Sequence, residues 1–148
     1  MKNTLHELLA VRPALHPASQ GAGAVNGVIT DRRGYDEAML SLQAGALGTN
    51  ATLDAKIQHG NVSDGSDMAD VSGAAITQMT QAGTDKSNKL ALLRVRAEGL
   101  KRYIRVVSTV ATAASLVGAQ WIMLRNSGQV PEDNAAGAGV DQVKSVEA

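Results

Sequence analysis

The sequence predicts an all-β protein: an antiparallel β-sandwich of jelly-roll-like form with extended N- and C-terminal arms. Three observations predict it. Leu53, Ala55, Ile57 and His59 alternate with Thr52, Asp54, Lys56 and Gln58, the period of two that buries one face of a strand and wets the other. Similar short apolar runs recur between Gly-, Asn- and Asp-rich breaks from Val25 to Leu124, about seven or eight strands in all. Strand and helix patterns do not alternate, which argues against a parallel α/β sheet.

The elements follow in chain order. Residues 1–24 read as an N-terminal arm. Asn3 to Val11 is helix-compatible, with Leu5, Leu8 and Leu9 on one side, and Pro13 and Pro17 then interrupt regular structure. Strand character begins at Val25 to Thr30 and ends in a turn over Asp31 to Gly34. Ala38, Leu40 and Leu42 share the inner face of the next strand, which stops at Gly45. Ala51 to His59 is the clearest strand, and its polar face implies an antiparallel sheet open to water on one side. A polar loop over Gly60 to Gly65 precedes an apolar stretch marked by Met68, Val71, Ala74 and Ile76. After a loop from Gln81 to Lys89, Leu93, Val95 and Ala97 alternate with Arg94, Arg96 and Glu98. Gly99 bends the chain, and Arg102 to Val110 becomes apolar on both faces towards its end. The last apolar run reaches Leu124. Residues 25–125 thus form the sandwich domain. Residues 126–148 are polar and Gly/Ala-rich, a flexible tail that builds no core of its own.

Composition narrows the function. The 148 residues fit one domain, with no Phe, one Trp and two Tyr. Val, Leu, Ile, Met and Ala must fill the interior. Each buries modest area, so assembly would add to stability. Acidic and basic residues balance at 14 each, without the basic excess that drives nucleic-acid binding. The absence of Cys excludes disulfides, thiolate catalysis and Cys-based zinc sites. Val106 to Leu124 carries no charge and approaches the roughly 20 residues of a bilayer span. Ser108, Thr109, Thr112, Ser115, Gly118 and Gln120 dilute it, so a buried strand pair, or a strand plus a helix, is expected. A membrane-associated protein using this segment is the alternative. The N-terminus is too polar for a signal peptide, and synthesis in a cytoplasm is expected.

No catalytic, cofactor-binding or metal-binding constellation is legible. Gly21 to Gly27 lacks the third glycine of a dinucleotide loop and follows no strand. Asp64, Asp67 and Asp70 are spaced by three, whereas a calcium loop needs oxygens at alternate positions and a closing Glu. His59 sits on a strand with no orienting carboxylate or nucleophile marked by spacing. Arg94, Arg96, Lys101, Arg102 and Arg105 form the basic cluster, with Arg94 and Arg96 on one strand face and Arg102 expected beside them on a neighbour. A solvated sheet face is one reading of this cluster, a contact for an acidic protein partner the second, and nucleic acid the third, although no aromatic except Tyr103 is interleaved to stack on bases.

The order of Asp31-Arg32-Arg33-Gly34-Tyr35-Asp36, then Asn50 to Gln58, then Asp70 to Ala75, then Lys101 to Val106 resembles small structural proteins of tailed bacteriophages. Some of those are similar to capsid cement, or decoration, proteins with a jelly-roll-like sandwich. The resemblance spans residues 25 to 125 and rests on segment order. The chain departs from it in lacking Phe. It implies a non-enzymatic protein on the virion capsid exterior, with the major capsid protein and further copies of itself, in a dimer or trimer, as partners. It implies neither a nucleic-acid nor a membrane partner and no cofactor; a phage tail or head–tail connector component is the other virion reading. Arms that order on contact suit such a role. Leu5, Leu8 and Leu9 on the arm and Arg94, Arg96 and Arg102 on the domain are the expected partner-binding residues.

Overall fold

Period-two alternation becomes two facing sheets in the computed structural model of the chain, which describes residues 8–125 and 140–146. The strands are β1 (Leu9–Gln20), β2 (Gly23–Asn26), β3 (Thr30–Asp31), β4 (Glu37–Ala44), β5 (Thr52–Gly60), β6 (Ala69–Ala75), β7 (Met79–Thr80), β8 (Leu90–Arg96), β9 (Tyr103–Ala111), β10 (Ser115–Leu124) and β11 (Val140–Val146), with a 3-10 turn at Ala97–Gly99. Sheet A has the order β1-β10-β4-β8-β11. Sheet B has the order β2-β9-β5-β6, with β3 also on β9 and β7 also on β5.

The pairing is nested. The outermost strands of the unit, β1 and β10, pair with each other, then β2/β3 with β9, then β4 with β8, and β5 closes the series with β6/β7, every pair antiparallel. A long hairpin wound so that its nested pairs divide between two facing sheets is a jelly roll. The expected all-β sandwich is therefore what forms. β11 lies outside the nesting and joins β8 in parallel.

The core lies between the sheets. β4 turns Ala38, Leu40, Leu42 and Ala44 inward, β8 turns Ala91, Leu93 and Val95, and β5 and β9 answer with Leu53, Ala55, Ile57, Ile104, Val106 and Val110. Trp121 is the large aromatic of this interior, fully buried, its indole N–H without a hydrogen-bond partner among the described residues. A buried polar pair ties the sheets where β1 turns into β2. The Gln20 amide donates to the Gly23 and Ser108 carbonyls at 2.9 and 3.0 Å, and Ser108 Oγ donates back to Gln20 Oε1 at 2.9 Å.

Four sequence expectations change. The helix-compatible stretch read from Asn3 to Val11 gives way, over Leu9–Val11, to the start of β1, because Leu124, Met123 and Ile122 offer a strand to pair with; residues 3–7 of it, Leu5 included, lie outside the described residues. Pro13 and Pro17 do not end this segment. They sit in an edge strand, where a missing N–H breaks no ladder, and register shifts between Pro13 and Leu15 and between Leu15 and Ala18 absorb them. The strand expected over Val25 to Thr30 is split into β2 and β3. Both still pair with β9 in sheet B, and between them the Gly27 N–H donates to the Val106 carbonyl while the Val28 N–H reaches the Ala14 carbonyl of β1 in the facing sheet. A Cβ at Gly27 would stand 2.2 Å from the Ala14 carbonyl oxygen, so only glycine fits. Last, the tail expected to stay unstructured includes β11. Its Val140, Val143 and Val146 recur every three residues, a spacing without strand alternation, and a register shift after Val140 accommodates it.

The uncharged run Val106 to Leu124 is two strands, β9 and the following β10, placed in different sheets. Its apolar side chains Val106, Val110, Val117, Trp121 and Met123 are buried inside the sandwich. No helix among the described residues is long and apolar enough to cross a membrane.

Candidate functional site

The outer faces of the two sheets differ in chemistry, and the difference follows from the register. On sheet A, Val11, Ile122, Met39 and Arg94 stand side by side across β1, β10, β4 and β8. The adjacent row is Leu9, Leu124, Glu37 and Arg96. Five apolar side chains from three strands thus form one patch, with charged side chains along its β4–β8 side. Leu9, Met39, Ile122 and Leu124 are half-buried, and Val11 is 56% exposed. A strand of a two-layer sandwich normally presents polar residues here.

The patch continues into a depression of about 700 Å³ lined by Val11, Pro13, Pro17, Gln43, Leu116 and Gly118, among others. Leu116 is 48% exposed. Gly118 lets the bulged edge strand close over the sheet, since a Cβ there would meet Pro17 Cγ at 3.1 Å.

The charged border is itself ordered. Arg94 Nε lies 2.7 Å from Glu37 Oε1, with the Glu37 side chain only 5% exposed. A carboxylate withdrawn this far from water needs its cation, so Arg94 is committed to Glu37. Arg96, exposed at the end of β8, completes the border.

Sheet B presents a polar, cross-linked outer face. Arg105 donates to Gln58 at 2.8 Å, Gln58 donates to Asp70 at 2.7 Å, and Lys56 pairs with Asp70 at 2.7 Å. Gln78 donates to Asp54 at 2.8 Å. The bond from Lys56, then that from Gln58, holds the Asp70 carboxyl below its ordinary range.

The remaining titratable groups serve turns and strand ends. Asp67 accepts the Asn61 and Val62 N–H groups at 2.7 and 3.0 Å, and Asp64 accepts that of Ser66 at 2.8 Å. These backbone bonds hold both carboxyls below their ordinary range. Among the described residues no three His, Asp or Glu side chains are grouped to hold a metal ion. His59 Nδ1 accepts the Lys101 N–H at 3.3 Å. Burial first, then the nearby Lys101 and Arg32 charges, pushes its pKa down. Its role here is to anchor the entry to β9. Arg32 donates to the Leu100 and Lys101 carbonyls from the other side of the same turn.

The structure brings Leu9, Arg94 and Arg96 onto one surface, the outer face of sheet A, with Leu8 immediately ahead of β1, where its carbonyl accepts the Arg125 N–H. It separates Arg102 from them. The sequence reading places Arg102 on a strand beside β8, but the chain changes sheets between β8 and β9, so these strands do not pair. Arg102 pairs instead with Asp31 at 2.8 Å and lies 5.0 Å from the centre of the Tyr103 ring. Met39, Ile122 and Leu124 belong to the patch and escape sequence reasoning. Ile122 and Leu124 sit in a segment apolar on both faces, where alternation cannot say which side faces water; Met39 stands on the otherwise polar face of β4 with Glu37, Ser41 and Gln43, and only its register with Ile122 brings it into the patch.

No protein-family model matches the chain, and no curated protein matches it in sequence. Among solved structures, a chain from the structure of infectious bursal disease virus Gx strain resembles it with a TM-score of 0.43 at 10% identity, over 83% of this chain and 33% of that one. This chain therefore spans about a third of that neighbour's length. The fold of this chain rests on its own strand pairing: an all-β jelly roll with one polar and one partly apolar outer face.

Proposed function

We propose that the chain is a structural module of a virion that docks on a protein shell through the outer face of sheet A, as capsid cement or decoration. The observation that carries this reading is the in-register apolar patch of Leu9, Val11, Met39, Ile122 and Leu124 on an otherwise solvent-facing sheet. An apolar patch with a charged border is the anatomy of a protein interface. The polar outer face of sheet B would then look outward to water. Contacts of modest strength, repeated over a lattice of identical sites, add through avidity. The partners in this reading are the major capsid protein and further copies of the chain.

The test is cryo-electron microscopy of virus particles purified from cells that produce the chain. Jelly-roll density at every equivalent position of the shell, with sheet A inward, is the expected result. Density restricted to one vertex or to a tail would instead make the chain a connector or tail component. Particles that contain none of it would overturn the virion reading altogether.

A further inference from the structure

We infer that β11 is an exchangeable strand, able to complete sheet A of a second copy of this chain as it completes its own. The inference stands apart from the shell reading, because it concerns how copies join each other.

Three observations carry it. First, the jelly roll closes without β11. Every strand from β1 to β10 has its place in the nested pairing, and β11 is added afterwards. Second, it is held at edges of the body. It runs parallel to β8, from Val140 beside Leu90 to Val146 beside Val95. Across the seam, Gln142 Oε1 accepts the Thr77 N–H at 2.7 Å, its amide donates to the Thr77 carbonyl at 2.8 Å, and Lys144 donates to the Ala75 carbonyl at 3.0 Å. These bonds fix the register of the strand, and none depends on which copy supplies it.

Third, the two edges of sheet A are unlike. The β1 edge carries Pro13, Pro17 and two register shifts, which oppose a further strand. Without β11, the β8 edge would expose the regular, largely apolar run Leu90–Val95 and its unpaired N–H and C=O groups, a template for one more strand. Where copies are held close together, an edge template of this kind can take the same strand from either source.

The chain has no cysteine, so engineered thiols report without interference. Leu92 and Val143 are register partners across the β8–β11 ladder. Leu92→Cys in one tagged full-length chain and Val143→Cys in another, co-expressed and oxidised, are expected to give a covalent heterodimer carrying both tags. The doubly substituted chain is expected to give covalent multimers, lost on reduction. If that chain yields only an internally crosslinked monomer, and the mixed pair yields no heterodimer, the strand stays home and the inference is wrong. Leu90→Cys with Val140→Cys repeats the test at the next register pair, so a misfolded first pair, detected by circular dichroism, leaves the question decidable.

Discussion

At the scale of single residues, three groups have roles that the surrounding sheets impose. Glu37 is a carboxylate on an outer face, yet it is shielded to 5% exposure and faces Arg94 at 2.7 Å. Arg94→Ala leaves that charge buried without its cation. The expected loss is about 3 kcal/mol in urea unfolding, with most of it recovered by adding Glu37→Gln. Thr112 turns the chain from β9 in one sheet to β10 in the other at φ 74°, a left-handed conformation that a β-branched residue adopts at a cost. Thr112→Gly is expected to raise stability by about 0.5–1 kcal/mol, read as a higher urea midpoint at unchanged m-value; a loss would show that the turn is not strained. His59 is held below its ordinary value of 6.5 by burial and by Lys101 and Arg32. The unfolded chain therefore binds a proton near pH 6.5 that the folded chain still refuses. Its contribution to stability is full above that value and falls as pH drops below it, until the folded imidazole also titrates. His59→Gln, which keeps an acceptor for the Lys101 N–H, is expected to flatten the stability profile between pH 7 and 5.

At the scale of elements, the legible strands were those with one wet face. Leu53, Ala55 and Ile57 on β5 and Ala38, Leu40 and Leu42 on β4 read as inner residues and are buried. β1 was not legible, because its prolines and small residues carry no alternation. It is a strand only because β10 lies beside it and because an edge tolerates proline and bulges. β11 was hidden for a related reason. Its three valines recur every third residue and so show no strand alternation, and its place is secured by the β8 ladder and by the Gln142 bonds to Thr77, a residue distant in sequence. Gln142→Ala is expected to cost about 1 kcal/mol, and hydrogen exchange should show that loss first in the β11 amides, ahead of the core strands.

At the scale of the whole molecule, the two outer faces differ, one partly apolar and one polar, and the proposed docking role turns the first towards a partner and the second towards water. Val11 and Leu116 are exposed, at 56% and 48%, so replacing them need not disturb the core. Val11→Asp combined with Leu116→Asp is expected to change folding stability by no more than about 0.5 kcal/mol while abolishing attachment to the shell, measured by co-sedimentation with particles. Unchanged attachment would move the contact surface away from sheet A. Substitution of Lys56 on sheet B serves as the control and is expected to leave attachment intact.

By itself the sequence determined that the protein is a sandwich of short antiparallel strands, since side-chain alternation is a local property and burial of one face demands a second layer. It also marked Leu9, Arg94 and Arg96. Only the tertiary structure decided which strands are neighbours, and that decision puts those three on one face and sends Arg102 to the other sheet. The reason is physical: register between strands distant in the chain is set by how the whole hairpin winds, and no short stretch of sequence contains that winding.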